Sequence, residues 1–108
     1  MESFKPKSYL LSEMAEEYLS LRKIDAAPPK LALETFIRLA GDRDVVSYTR
    51  DDAKLFVDAL LSLGNKTATI RRRINSLSAI INYAYAEIDV DKRKPFSRLL
   101  IKGEGQDA

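Results

Sequence analysis

Apolar residues recur at every third or fourth position along most of the chain, which is the spacing that places them on one face of an α-helix. No segment shows the sustained alternation of apolar and polar residues that is typical of a half-buried strand. A first helix is predicted to begin near Ser12, whose hydroxyl suits an N-cap. A second helix is predicted from Pro29 to Ala40, because proline suits the first turn and Gly41 the residue just past the end.

Two longer helices follow a polar connector. The third is predicted over residues 50–63, behind a capping box formed by Thr49 and Asp52. The fourth is the longest and is predicted from Thr67 to about Glu87, with Thr67 as its cap, and residues 95–101 suggest a short closing helix. The pattern therefore predicts an all-α fold, a compact bundle of four to five helices.

The same periodicity indicates which residues face the core. Each predicted helix has one apolar stripe and one polar face. The predicted core residues are Leu11, Met14, Ala15, Tyr18, Leu19 and Leu21 on the first helix, Leu33, Phe36, Ile37 and Ala40 on the second, Ala53, Phe56, Val57, Leu60 and Leu61 on the third, and Ile70, Ile74, Leu77, Ile81 and Ala84 on the fourth.

Charge is distributed unevenly along the chain. The net charge is only +2, but residues 1–65 carry nine Lys and Arg against eleven Asp and Glu, whereas residues 66–98 carry eight against three. No acidic residue lies between Lys66 and Glu87 on the fourth helix. This asymmetry favours a polyanionic partner. Solvated charge on an ordinary helix surface would account for it almost as well, so charge alone leaves both interpretations open.

Three successive arginines begin the fourth helix, and together they spread over about 200° of its circumference. They cannot all face one partner. Arg71 and Arg72 are expected to contact a nucleic acid, whereas Arg73 is expected to lie against a neighbouring helix or to pair with an acid.

Histidine and cysteine are both absent from the sequence. Disulfides, thiolate and imidazole metal sites, cysteine nucleophiles and histidine-based triads are therefore excluded. The acidic residues are scattered along polar faces without a paired-acid or metal-binding spacing. We expect no enzyme activity of the chain alone, no cofactor, no metal and no small-molecule substrate.

The 108 residues suffice for about one domain. We expect an N-terminal arm over residues 1–10, a helical domain over residues 11–101, and a tail or linker over residues 102–108. The N-terminus lacks the apolar stretch of a signal peptide, and no apolar run is long enough to span a membrane. A cytoplasmic location is expected.

The order and spacing of several short patterns extend over nearly the whole chain, residues 8–100. They are a threonine-capped helix with an acid, a glycine-containing turn, a long helix that starts Thr-Ile-Arg, an alanine-containing end and a Pro-Phe segment. Together they resemble the N-terminal SAM-like core-binding domain of phage-type tyrosine recombinases, the integrase family. One departure is Lys94-Pro95, where the family often has Asn-Pro. The matching segments are Tyr9–Glu13, Gly41-Asp42, Thr49–Leu60, Gly64–Leu77, Tyr83–Ala86 and Lys94–Phe96.

The resemblance implies a non-catalytic domain that forms half of a C-shaped clamp around the core recombination site during DNA integration. The family's catalytic domain, which carries histidines and a nucleophilic tyrosine, has no counterpart in this sequence. Double-stranded DNA and other recombinase subunits on DNA are the implied partners, and the free chain is expected to be a monomer. The implied DNA-facing residues are Lys66, Thr67, Thr69, Arg71, Arg72 and Asn75, with Lys30, Arg38, Lys5 and Lys7 as weaker candidates.

Two other interpretations are open at this stage. The chain is alternatively a helical protein–protein interaction module, in which Tyr83, Tyr85 and exposed alanines of the fourth helix form a groove for a partner. An enzyme with an unfamiliar active site is the third possibility. It is disfavoured by the lack of histidine, of cysteine and of a glycine-rich phosphate loop.

Overall fold

The computed structural model describes residues 9–22, 27–89, 94–97, 99 and 101. Within these ranges the chain is an all-α helical bundle, as the pattern predicts. The helices are α1 (Leu11–Leu21), α2 (Ala27–Ala40), α3 (Arg50–Ser62) and α4 (Thr67–Glu87), with a 3₁₀ turn at Val45–Ser47 between α2 and α3.

The long helix α4 is the centre of the bundle, since α1, α2 and α3 all pack against it. Its bounds are those predicted, and the five predicted core residues of its stripe are buried. Ile80 and Tyr85 are buried as well, which makes the buried face wider than the sequence pattern suggested. The reason is that a helix covered by three neighbours buries more of its circumference than one that packs against a single surface.

The start of α1 differs from the prediction. The helix begins at Leu11 and its N-cap residue is Leu10, whose side chain makes no capping hydrogen bond. Ser12 lies inside the first turn. Its backbone N–H donates to Oδ1 of Asp42 at 3.0 Å, and its hydroxyl donates to Oδ2 at 2.5 Å. A carboxylate from the connector after α2 therefore takes the place of a local cap, and it lies where the helix dipole favours negative charge.

The connector after α2 is an ordered part of the core. Tyr48 is buried, and its hydroxyl donates to the carbonyl oxygen of Gly41 and accepts a hydrogen bond from the N–H of Arg43. The Arg43 guanidinium lies 4.7 Å from the centroid of the Tyr48 ring and forms an ion pair with Asp52 at 3.3 Å. The sequence indicated only a polar connector here, because its polar composition does not show that one tyrosine turns inward.

The capping box predicted at the start of α3 is confirmed. The side chain of Thr49 faces the N–H of Asp52, and the carboxylate of Asp52 accepts the N–H of Thr49 at 2.8 Å. Gly64 ends the helix with a φ of +86°, a conformation that suits glycine. The cap of α4 was predicted wrongly. Lys66 is the N-cap residue, and Thr67 is the first residue of the helix.

The C-terminal segment packs on the bundle without forming the predicted closing helix at its start. Residues 95–97 form a turn, and the side chain of Phe96 enters an aromatic cluster with Phe36 and Phe56. Leu99 and Ile101 are also buried. The segment is therefore a non-helical strap over the core for the residues that are described.

The apolar stripes of the first three helices are largely confirmed as core. Most of the predicted residues are buried, but Leu21 is 66% exposed at the end of α1. Those that are only partly buried and lie against the core are Leu19, Leu33, Ile37, Ala40 and Leu61.

Candidate nucleic-acid interface

The N-terminal half of α4 presents the cations that the sequence singled out, but it presents them on different faces. Lys66, Arg72 and Asn75 are exposed. Thr69 is half-buried, on the side of α4 that faces α2. The outward face continues through Asn82 and Ala86 and carries no acid until Glu87. Its charge is therefore concentrated in the first two turns.

Thr67 does not belong to this outward surface. Its side chain is buried, with a relative exposure of 7%. Thr67 was expected to face DNA, and the structure leaves it almost no surface with which to do so.

Arg71 contacts the C-terminal strap. Its guanidinium is half-buried and donates a hydrogen bond to the carbonyl oxygen of Leu99 at 3.0 Å. A second arginine, Arg50 at the start of α3, donates to the carbonyl oxygen of Ser97 at 2.7 Å. The two side chains fasten the C-terminal strap to the helix starts. Arg71 therefore has a structural role that its position in the Arg-Arg-Arg run did not reveal.

Arg72 and Arg73 differ from Arg71 in this respect. Neither forms a hydrogen bond or an ion pair with the part of the chain that the structure describes. The Nε of Arg73 is covered by neighbouring atoms and has no hydrogen-bond partner. Arg73 lies next to α2, as expected, but it has no acidic partner among the described residues. Both residues therefore lie near α2 without an ion-pair partner among the described residues.

A groove of about 380 Å³ opens between the N-terminal parts of α2 and α4. One wall is formed by cationic and hydroxyl side chains of α4, and the other by apolar side chains of α2. Leu31 on the apolar wall is 49% exposed. The described residues that line the groove are Ala27, Pro28, Leu31, Thr69, Arg72, Arg73 and Ser76. The sequence pattern missed Leu31 and Arg73 as site residues, because neither charge counting nor periodicity shows which flank of one helix faces another.

The weaker candidates on α2 are exposed. Lys30 and Arg38 both face solvent, and Glu34 lies four residues from each of them. Arg38 is seven residues after Leu31 and therefore lies on the same side of α2, two turns further along. Lys5 and Lys7 are outside the described residues.

Comparison of the chain with protein-family models, curated proteins and solved structures finds no match. The described helices include none that is long and apolar enough to cross a membrane. The described residues also contain no group of three or more His, Cys, Asp or Glu side chains that could hold a metal ion. The function must therefore be inferred from the surface itself.

The alternative interpretation expected both Tyr83 and Tyr85 in a groove for a partner, and the structure places Tyr85 in the core. Tyr85 is buried, with a relative exposure of 3%. Tyr83 packs on Tyr18, with ring centroids 5.5 Å apart, and its hydroxyl donates to Glu17 at 2.5 Å. Tyr85 is therefore not available to line a site for a partner, whereas Tyr83 is half-buried and contacts α1.

Proposed function

We propose that this chain binds double-stranded DNA with the N-terminal half of α4, as the core-binding domain of a phage-type tyrosine recombinase. In this role it forms half of a clamp around the core site for DNA integration. The observation that carries the proposal is the pair Arg72 and Arg73, which have no ion-pair partner in the described part of the chain and lie on a helix without an acid between Lys66 and Glu87.

Electrostatics explains why this pair of arginines favours a polyanionic partner. Cations at the start of a helix lie at the positive end of its dipole, which disfavours them slightly. Two cations that line one groove also repel each other, and no carboxylate of the described residues forms an ion pair with either of them. Duplex DNA supplies dense phosphate charge, and each cation that neutralises a phosphate releases a counter-ion. DNA therefore stabilises an arrangement that is unfavourable in the free protein.

The exposed residues of this surface suit two kinds of DNA contact, to phosphates and to bases. Lys66 and Arg72 suit phosphate contacts, since both are exposed cations at the same end of α4. Asn75 lies one turn further along the outward face, and an amide is the group that pairs with adenine in the major groove. Lys30 and Arg38 add two exposed cations on α2, with the exposed acid Glu34 between them along the helix. Arg71 instead contacts the C-terminal strap, through the carbonyl oxygen of Leu99.

The proposal makes the chain a non-catalytic DNA-binding unit. Its partners are duplex DNA and other recombinase subunits assembled on that DNA, and the free chain is a monomer. Such a protein acts where the recombining DNA is, and we propose a cytoplasmic location. In this role the bundle would position the catalytic domain of the recombinase on the DNA.

A duplex titration tests the proposal. A fluorescently labelled duplex is titrated with the protein at several salt concentrations, and fluorescence anisotropy gives Kd. We expect Kd to rise steeply with salt. Arg72→Glu should raise Kd at least tenfold. The matched control is Lys54→Glu, which reverses an exposed cation on α3 that does not line the groove.

Circular dichroism of both variants shows that the fold is retained. If the wild-type protein fails to bind duplex DNA at low salt, the proposed function is wrong. If Arg72→Glu and Lys54→Glu weaken binding equally, the protein binds by its general charge and the assigned face is wrong.

A further inference from the structure

The groove between α2 and α4 has two chemically different walls. The α4 wall supplies the guanidinium groups of Arg72 and Arg73 and the hydroxyls of Thr69 and Ser76. The α2 wall is apolar and is formed by Ala27, Pro28 and Leu31. A ligand that complements both walls carries an anionic group and an apolar body side by side. An inorganic anion alone would leave the apolar wall without a contact.

Leu31 is the unusual member of the apolar wall. It is 49% exposed, whereas Ala32 and Phe36 on the core side of α2 are fully buried. Single exposed leucines are common on protein surfaces. Leu31 differs from them because it lines the same groove as Arg72 and Arg73, which have no ion-pair partner among the described residues. Covering Leu31 with a ligand would remove apolar surface from water, which is favourable.

Arg73 is the preorganised member of the cationic wall. Its Nε is covered by protein atoms and has no acceptor, so the stem of the side chain is held in place without an internal ion pair. A guanidinium group presents its donors in a fixed planar fork that matches phosphate oxygens. Arg72 is more exposed and lies next to it on the same wall.

We infer that this groove receives one sugar–phosphate unit of a DNA strand, with the phosphate against Arg72 and Arg73 and the deoxyribose against Pro28 and Leu31. The inference rests on the proposed function and specifies which part of the DNA the groove takes. The deoxyribose fits the apolar wall because its carbon face is apolar. A stacked base fits less well, because single bases bind on aromatic platforms and none of the described lining residues is aromatic.

Two substitutions separate the contributions of the two walls. Arg73→Gln should remove about one phosphate contact, so the slope of log Kd against log salt should fall by about 0.9. Leu31→Ser should raise Kd at every salt concentration by about threefold or more and leave the slope unchanged, since it removes an apolar contact. Leu31→Met, which keeps an apolar side chain of similar size, should bind DNA with the Kd of the wild-type protein.

Both substitutions have matched controls on α3. Lys54→Gln removes an exposed cation, and Leu55→Ser removes a leucine that is 45% exposed, close to the exposure of Leu31. Neither Lys54 nor Leu55 lines the groove. We expect the Leu55→Ser variant to bind like the wild-type protein at every salt concentration, and Lys54→Gln to change the slope less than Arg73→Gln does.

The outcomes distinguish this inference from the proposed function. If Arg72→Glu abolishes binding while Leu31→Ser and Leu55→Ser are indistinguishable from wild type, the protein binds DNA but the sugar–phosphate assignment is wrong. If the wild-type protein does not bind duplex DNA, the proposed function fails and this inference fails with it.

A free sugar phosphate also carries a phosphate beside a sugar, so it could occupy the same groove as a DNA strand. A second titration distinguishes these two ligands. Titration of ¹⁵N-labelled protein with 2′-deoxyribose 5-phosphate, followed by amide chemical shifts, should show only millimolar binding at Thr69, Arg72, Arg73 and Ser76. Micromolar binding of the free compound would overturn the assignment to a DNA strand. Shifts confined to other parts of the chain would overturn the groove as the site.

Discussion

The guanidinium group of Arg71 donates a hydrogen bond to the main-chain carbonyl oxygen of Leu99, across 28 positions of the sequence. Its neighbour Arg72 makes no such contact with the described residues and faces solvent. Two adjacent arginines therefore have different roles because they lie about 100° apart around the helix. One holds the C-terminal strap and the other is available to a partner.

This difference predicts unequal effects on stability. Arg71→Ala should lower the free energy of unfolding by about 1 kcal/mol, because it leaves the carbonyl of Leu99 without its charged donor. Arg72→Ala should change it by less than about 0.5 kcal/mol, as is usual for an exposed side chain. Urea denaturation followed by circular dichroism measures both values. Equal losses in the two variants would contradict the structural role of Arg71.

The aromatic cluster makes Phe96 a major contributor to stability, although it lies outside the helices. Its ring is buried and lies 5.4 Å from the Phe36 ring and 6.1 Å from the Phe56 ring, centroid to centroid. Phe96→Ala should lower the free energy of unfolding by about 3 to 4 kcal/mol through lost burial and the cavity left behind. Thermal and urea unfolding measure the loss. Leu63→Ala is the control, because Leu63 is 75% exposed. A loss below about 1 kcal/mol for Phe96→Ala would mean that the strap does not pack as described.

Asp52 should make stability depend on acid pH. Partial burial disfavours its carboxylate, but the hydrogen bond from the N–H of Thr49 and the guanidinium of Arg43 outweigh this and lower the pKa of Asp52. A lowered pKa in the folded state contributes stability that is present above the unfolded pKa of about 3.8 and is lost as the pH falls through the folded value. Asp52→Asn should cost about 1 kcal/mol at neutral pH through the weakened cap.

Urea denaturation from neutral to acid pH checks this prediction. The difference in stability between wild type and Asp52→Asn should shrink as the pH falls below the unfolded pKa. Asp51→Asn is the control, since Asp51 is exposed in the same helix turn. A difference that stays constant across the acid range would exclude Asp52 as the titrating group.

Tyr83 should ionise later than an ordinary tyrosine. Its hydrogen bond to the Glu17 carboxylate, together with desolvation and the negative charge of Glu17, raises the pKa of Tyr83 to about 12. Because the folded pKa lies above the ordinary value of 10.0, the bond stabilises the fold fully below about pH 10 and ceases to do so as the pH rises through about 12.

Near-ultraviolet absorbance of tyrosinate measures this ionisation, and the difference between wild type and Tyr83→Phe isolates Tyr83. Glu17→Gln should move that titration back toward the ordinary value, whereas Glu16→Gln, in the neighbouring exposed position, should have a much smaller effect. An unchanged titration in Glu17→Gln would show that another group raises the pKa.

The sequence predicted most of the fold because its signals are local. The length of α4, the capping box of Thr49 and Asp52, and the glycine end at Gly64 follow from spacing and backbone preference within a few residues. Core stripes follow from the same periodicity. The sequence prediction was wrong at the caps of α1 and α4 and at the closing segment. At α1 and at the closing segment, contacts come from distant parts of the chain: Asp42 accepts from Ser12, and Phe96 packs on Phe36 and Phe56.

The candidate site was predictable as a region but not in its detail. The acid-free start of α4 and its cluster of cations are properties of the sequence alone. Tertiary structure decided the role of each residue in that region. Thr67 is buried, and Arg71 binds the carbonyl of Leu99 in the strap. The packing of α2 against α4 places Leu31 in the same groove as Arg72 and Arg73. Helical periodicity fixes the angles between side chains on one helix. Which face of the helix is buried, exposed or part of a groove depends on where another helix or the C-terminal strap packs against it.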